Sequence, residues 1–177
     1  MPNILVLGDV HGEWAYLASL LLYLRPDICI VAGDFGWWPG RGDLPHEAMP
    51  REVLERTEIH FAVGNHENHR ELLAAAPRGC FAAVEIAPHI IYHPRGSTMA
   101  LTDGRTVFFA GGAKSVDWRW RHEGATWFRE ELLLRITCRN TCPTLTWSSH
   151  TRFQQSSGWT SLPVSAVSIR TWTRRRT

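Results

Sequence analysis

Three short stretches repeat one arrangement, a glycine followed by side chains that bind metals. "GDVHGE" (8–13) offers Asp9 and His11, "AGDFGWWPG" (32–40) offers Asp34, and "VGNHEN" (63–68) offers Asn65 and His66. Carboxylate, imidazole and amide oxygen together suit Mn²⁺, Fe or Zn²⁺ better than Ca²⁺, which prefers all-oxygen cages. One Asp able to bridge two ions, with ligands on either side, suits a two-metal clamp for in-line displacement at phosphorus. Taken singly, Asp9 or Asp34 reads as a helix cap or turn residue, and His11 or His66 as a surface histidine. Their joint recurrence points to a metal site.

The elements that must position these residues follow from hydrophobic spacing. "NILVLGD" (3–9), "DICIVAGD" (27–34) and "EIHFAVGN" (58–65) are short apolar runs that each end at a polar site, as buried strands do. "EWAYLASLLLYL" (13–24) spaces Trp14, Leu17, Leu20, Leu21 and Leu24 like one face of a helix. "HEAMPREVLERT" (46–57) reads as a helix with a proline near its start, and "ENHRELLAAAP" (67–77) as a short helix ended by Pro77. Strand, helix, strand, helix, strand, helix predicts a largely parallel sheet with right-handed crossovers. Ligands of such sheets bind beyond the carboxyl ends of the strands, where all five polar residues fall. Glycines 8, 33 and 64 precede each set and let backbone or substrate approach closely.

The pattern changes after residue 88. "HIIYHPRGSTMALTDGRTVFFAGGA" (89–113) holds two or three β-rich runs with an Asp103-Gly104 turn, which predicts a meander or hairpin. "SVDWRWRHEGATWFREELL" (115–133) reads as a loop leading into a helix. The expected fold is α/β, with two packed sheets and helices outside.

At 177 residues and 44% hydrophobic content the chain can fill one domain core. No apolar run reaches the roughly 18 residues that span a membrane, and "MPNILVLGDV" lacks the basic and apolar regions of a signal peptide, so a cytoplasmic protein with no membrane partner is expected. Cys29, Cys80, Cys138 and Cys142 show no C-x-x-C pair, which favours reduced thiols; Cys138-x-x-x-Cys142 is a weak zinc signal.

The net charge of +2 hides an asymmetry, because all 17 acidic residues lie at or before Glu131. Residues 134–177 carry seven arginines, no acid and one glycine, with no helical or strand period that can be sustained. Residues 1–133 therefore read as the N-terminal part of the fold and 134–177 as an atypical basic Ser/Thr/Arg-rich tail, incomplete or irregular in structure. A disordered basic extension binding nucleic acid weakly through phosphates is one reading of that tail.

"GDVHGE", "AGDFGWWPG" and "VGNHEN" resemble the first three motifs of the calcineurin-like metallophosphoesterases, D-x-H, G-D and G-N-H-E, and "FFAGGAKSVDWRWRHEGATWFREE" (108–131) resembles a later segment of small bacterial and phage members. The resemblance implies a two-sheet sandwich with flanking helices that hydrolyses phosphate mono- or diesters with two divalent metal ions. It implies that Asp9, His11 and Asp34 hold one ion and that Asp34 bridges to a second held partly by Asn65. It makes His66, positioned by a carboxylate such as Asp34 or Glu67, the general acid or electrostatic helper at the leaving oxygen, and a metal-activated hydroxide the nucleophile. Arg119 and Arg121 are candidates for binding substrate phosphate, or are surface residues stacked in a Trp-rich loop.

The family pattern also calls for histidines in its C-terminal third, including a Gly-His-x-His pair that this chain lacks. Only one ion bound, impaired hydrolysis, or an inactive remnant acting as a binding module are the corresponding expectations, unless His93, His122 or a partner chain completes the site. A frame shift near residues 132–137 is one hypothesis for the tail, since re-reading "TCPTLTWSSHTRFQ" from the third codon base permits a strand ending in Ser-His. A stop codon in that frame before any Gly-His-x-His would overturn it. A Rossmann-type nucleotide binder is disfavoured, because no G-x-G-x-x-G follows the first strand.

Overall fold

The computed structural model describes residues 2–76 and 81–132 in full and the backbone of 167–170. Three of the expected strands lie side by side: β1 (Ile4–Leu7), at one edge of the sheet, β2 (Ile28–Ala32) and β3 (Glu58–Ala62) pair in parallel, in chain order. Next to β3 lies β5 (Ile90–His93), also parallel, and β4 (Val84–Ala87) closes that edge antiparallel to it. β4 is a strand the sequence reading did not single out.

Side-chain alternation sorts these strands between two cores. Cys29 and Val31 of β2, Ile59 and Phe61 of β3, and Ile90 and Tyr92 of β5 pack on the helical side with Trp14, Leu17 and Leu21. Ile30 and Ala62 point the other way, against Val107 and Phe109 of the second sheet. Helices thus cover one face and a second sheet the other, as in the expected sandwich. Cys29 is a free buried thiol whose pKa desolvation pushes up to about 12, so it stays unionised.

The helix α1 (Trp14–Leu24) buries Trp14, Leu17, Ala18 and Leu21, while Leu24 is exposed. Leu17 and Leu21 are each 1% exposed, and burying such a side chain contributes about 1.5–3 kcal/mol. The helix stops where Arg25 turns left-handed (φ 49°) and Pro26 follows, which cannot extend the ladder.

The single helix expected over 46–57 is two: α2 (Pro45–Ala48) and α3 (Arg51–Arg56). Met49, forced extended (ψ 144°) by the following Pro50, separates them. α4 (His69–Ala75) follows β3 and is capped by Asn68, whose side chain accepts from the Glu71 N–H.

The second sheet holds β6 (Thr98–Ala100) and β7 (Thr106–Phe109), an antiparallel hairpin around the Asp103-Gly104 turn, as the sequence suggests. β8 (Val167–Arg170) pairs antiparallel with the other edge of β7. This strand corrects the reading that 134–177 sustains no strand period; the alternation in "VSIR" is too short to stand out among Ser and Thr. The other expectations for the tail, its irregular packing, its nucleic-acid contacts and the frame-shifted stretch, lie outside the described residues. The helix expected before residue 133 is also corrected, since 115–132 contains only two 3-10 turns, Trp118–Trp120 and Arg129–Glu131. Its backbone groups pair in short local turns, such as Thr126 N–H to His122 O and Gly124 N–H to Trp127 O, and with the Arg41 and Arg95 side chains, instead of in a continuing helical ladder.

No helix among the described residues is long and apolar enough to cross a membrane.

Candidate functional site

The loops after β1, β2 and β3 stand side by side at the carboxyl edge of the sheet. Asp9 donates its backbone N–H to Gly33 O (3.2 Å), His11 to Asp34 O (2.7 Å) and Gly12 to Phe35 O (3.0 Å), which stitches the first loop to the second. Both loops are strained: Asp9, His11 and Asp34 are left-handed, at φ 53°, 51° and 48°. Each such residue costs on the order of 1–3 kcal/mol, and strain of this kind collects at functional sites. Gly33 precedes Asp34 at φ 103°, a region open to glycine alone.

Asp34 ties the second loop to the third. Its Oδ1 accepts the backbone N–H groups of Asn65 (2.7 Å) and His66 (3.0 Å), and its carboxylate is nearly buried, at 9% residue exposure. Oδ2 faces His11 Nε2 at 3.7 Å. The His11 and His66 rings meet edge to face, with centroids 4.7 Å apart. One ligand atom from each of His11, Asp34 and His66 lies within 4.8 Å of the others, a nitrogen and oxygen set that fits a divalent transition metal.

Burial lowers the His66 pKa, with Arg121 and His11 adding to the effect and Asp34 opposing it, so the imidazole is neutral near pH 7. A neutral ring can donate at one nitrogen and accept or ligate at the other.

Asp9 is exposed and stands outside that group of three. Asn65 is beside Asp34, with Nδ2 donating to Ser115 Oγ at 3.1 Å. Arg121 reaches the site: Nη2 is 3.4 Å from His66 Nε2, and Nε is held by Asp117 Oδ1 at 2.8 Å. Arg119 instead lies over the Trp118 ring, 5.6 Å from its centroid, a surface stacking position. A cleft of about 460 Å³ opens from His11 and His66 along Trp38, Arg41 and Asp43.

Of the two carboxylates proposed to position His66, Asp34 accepts from its backbone N–H, while the Glu67 carboxylate accepts from other backbone groups. Glu67 is fully buried, its Oε2 accepting from the Gly64 N–H (2.6 Å) and Oε1 from the Gly36 N–H (3.2 Å). It clamps the second and third loops together. Desolvation first, and then the Asp34 charge, push its pKa up to about 8.

Neither His93 nor His122 joins the group. His93 is buried between the sheets, with Nε2 2.9 Å from His60 Nδ1 and Nδ1 3.2 Å from Ser97 Oγ, while His122 is exposed and its N–H is bound by Thr126 Oγ1. Sequence reasoning missed Ser115 and Glu131, whose roles depend on contacts far apart in the chain. Their one signal was the family-like segment 108–131.

A family model described as calcineurin-like phosphoesterase matches residues 2–164, past residue 133 where the composition changes. No curated protein and no solved structure matches the chain.

Proposed function

The chain belongs to the calcineurin-like phosphoesterase family, and we propose that it hydrolyses phosphate mono- or diesters at the group formed by His11, Asp34 and His66. The observation that carries this reading is the convergence of these three side chains, within 4.8 Å, from three successive strand ends.

In this reading His11 and Asp34 would hold one ion, with Asp9 from the same loop as His11 supplying a further oxygen, and Asn65 and Asp34 would supply oxygens to a second. Mn²⁺, Fe and Zn²⁺ all suit these donors. When bound, such ions polarise the phosphoryl group and bring the pKa of a water molecule toward neutrality. The protein's own groups do the rest. Arg121, fixed by Asp117, presents its guanidinium beside His66 and neutralises charge on the phosphoryl oxygens. The neutral His66 ring donates a hydrogen bond to the leaving oxygen as negative charge develops there. The cleft along Trp38 and Arg41 receives the organic part of the ester.

A single-ion or inactive form is the second reading, favoured by the missing Gly-His-x-His. Mn²⁺-dependent hydrolysis of a generic phosphodiester by the 177-residue chain, measured beside Asp34→Ala and with a count of bound Mn²⁺, separates the two. Activity that Asp34→Ala loses, with close to two ions per chain, supports catalysis. No activity in either protein, with one ion or none, supports the binding module.

A further inference from the structure

We propose that Glu131 is a positioning residue for Asn65, acting through the hydroxyl of Ser115. This rests on the reading that Asn65 Oδ1 is a metal ligand.

The chain brings the three residues together through the end of β7. The Gly112 N–H donates to Val63 O, which lays the segment after β7 along the end of β3 and delivers Ser115 beside Asn65. The turn carrying Glu131 is anchored independently: Arg95 donates to the carbonyls of Leu132 (2.9 Å), Glu130 (3.1 Å) and Glu131 (3.3 Å). Glu131 and Ser115 are 0% and 1% exposed. The carboxylate is fully engaged, with Oε1 accepting from the Ser115 N–H (2.7 Å) and Trp127 Nε1 (2.7 Å), and Oε2 accepting from Ser115 Oγ (2.9 Å).

These partners set a direction for the hydrogen bonds. Ser115 Oγ has one proton, and Glu131 Oε2 takes it. Oγ can then only accept from Asn65, so the Asn65 amide must turn its NH₂ toward Ser115. The opposite flip would need the hydroxyl proton for Oδ1 and would strip a buried carboxylate oxygen of its donor, a costly loss. Glu131 therefore decides which end of the Asn65 amide is free, and no hydrogen bond to Oδ1 occurs among the described residues. Outer partners of this kind hold a ligand in the orientation that binds.

The test is Mn²⁺ titration of the full-length protein, followed by electron paramagnetic resonance, for Ser115→Ala, Trp127→Phe and Asn65→Ala beside the parent. Ser115→Ala keeps two of the three bonds to Glu131 but frees the Asn65 amide, and roughly 10-fold weaker Mn²⁺ binding is expected. Trp127→Phe removes a bond from the same carboxylate without touching Ser115 or Asn65, so Mn²⁺ affinity should stay within about two-fold of the parent, whatever happens to the unfolding temperature. Parent-like binding by Ser115→Ala, with a loss in Asn65→Ala, overturns the positioning role alone. An equal loss in Trp127→Phe and Ser115→Ala also overturns it, because the carboxylate would then act only through the fold. Parent-like binding by Asn65→Ala overturns the ligand reading and the positioning role together.

Discussion

The Cα of Gly64 lies so close to Asp34 that any Cβ at that position would overlap the Asp34 carboxylate and its backbone nitrogen. The contact lets β3 end against the carboxylate that both neighbouring loops depend on. Gly64 does not have a left-handed backbone, so the requirement is purely one of space.

Gly64→Ala is therefore expected to destabilise the protein by about 1–3 kcal/mol, since the overlap falls on a buried side chain and backbone that cannot swing away. It should also displace the Asp34 oxygens and weaken Mn²⁺ binding by at least roughly 10-fold. Gly8→Ala is the control, because a Cβ there meets nothing within 4 Å. Denaturant unfolding and Mn²⁺ titration of both variants check the pair; equal behaviour of the two would remove the role assigned to Gly64.

The contrast between Gly8 and Gly64 shows what the sequence could and could not reveal. All three glycines look alike in sequence, yet Gly33 is required by its φ, Gly64 by close approach and Gly8 by neither. The strands and the polar residues at their ends were legible because continuous apolar runs and the strand-Gly-polar order are local signals. Pro50 was visible too, but whether it starts a helix or splits one depends on Met49 taking the extended backbone. The Ser115 and Glu131 contacts to the site were not legible, because a hydrogen bond between residues 65 and 115 leaves no trace in local spacing.

Arg121 and Arg119 should separate cleanly in kinetics. Arg121 stands 3.4 Å from His66, while Arg119 lies on Trp118. A hydrogen bond to a charged group is worth about 1.5–3 kcal/mol, so Arg121→Ala should lower kcat/KM by roughly 10- to 100-fold. Arg119→Ala should change it less than about two-fold, in line with a surface site. Steady-state hydrolysis of a phosphodiester by the two variants decides the assignment, and a large effect at Arg119 would reverse it.

The buried pair of His60 and His93 makes stability fall on the acid side. Burial, with His60 adding its charge, holds the His93 pKa down at about 3 from an ordinary 6.5, and burial lowers His60 as well despite Glu58 Oε2 at 3.5 Å. The unfolded chain takes up protons that the folded chain refuses. Stability is therefore complete above about pH 6.5 and declines as pH falls toward 3, by at most about 1.4 kcal/mol per pH unit for each histidine. In His93→Gln that decline should be shallower, even if the variant is less stable at pH 7.5. Urea midpoints of metal-free protein at pH 7.5, 6 and 5 measure the difference, and parallel curves for parent and variant would show that the pair does not set the slope.

Glu67→Gln tests the clamp between the second and third loops. Both carboxyl oxygens of Glu67 face backbone N–H donors, at Gly36 and Gly64. Protonated or ionised, a carboxyl oxygen can accept such a bond; the amide nitrogen of glutamine cannot. One buried N–H is then left facing another donor, which costs about 1–3 kcal/mol. Because Gly64 N–H and Gly36 N–H sit one step from Asn65 and two from Asp34, the loss should also loosen the metal group. The expected result is a lower urea midpoint together with weaker Mn²⁺ binding. A variant that unfolds earlier but binds Mn²⁺ like the parent would show that Glu67 supports the sheet edge without setting the geometry of His11, Asp34 and His66.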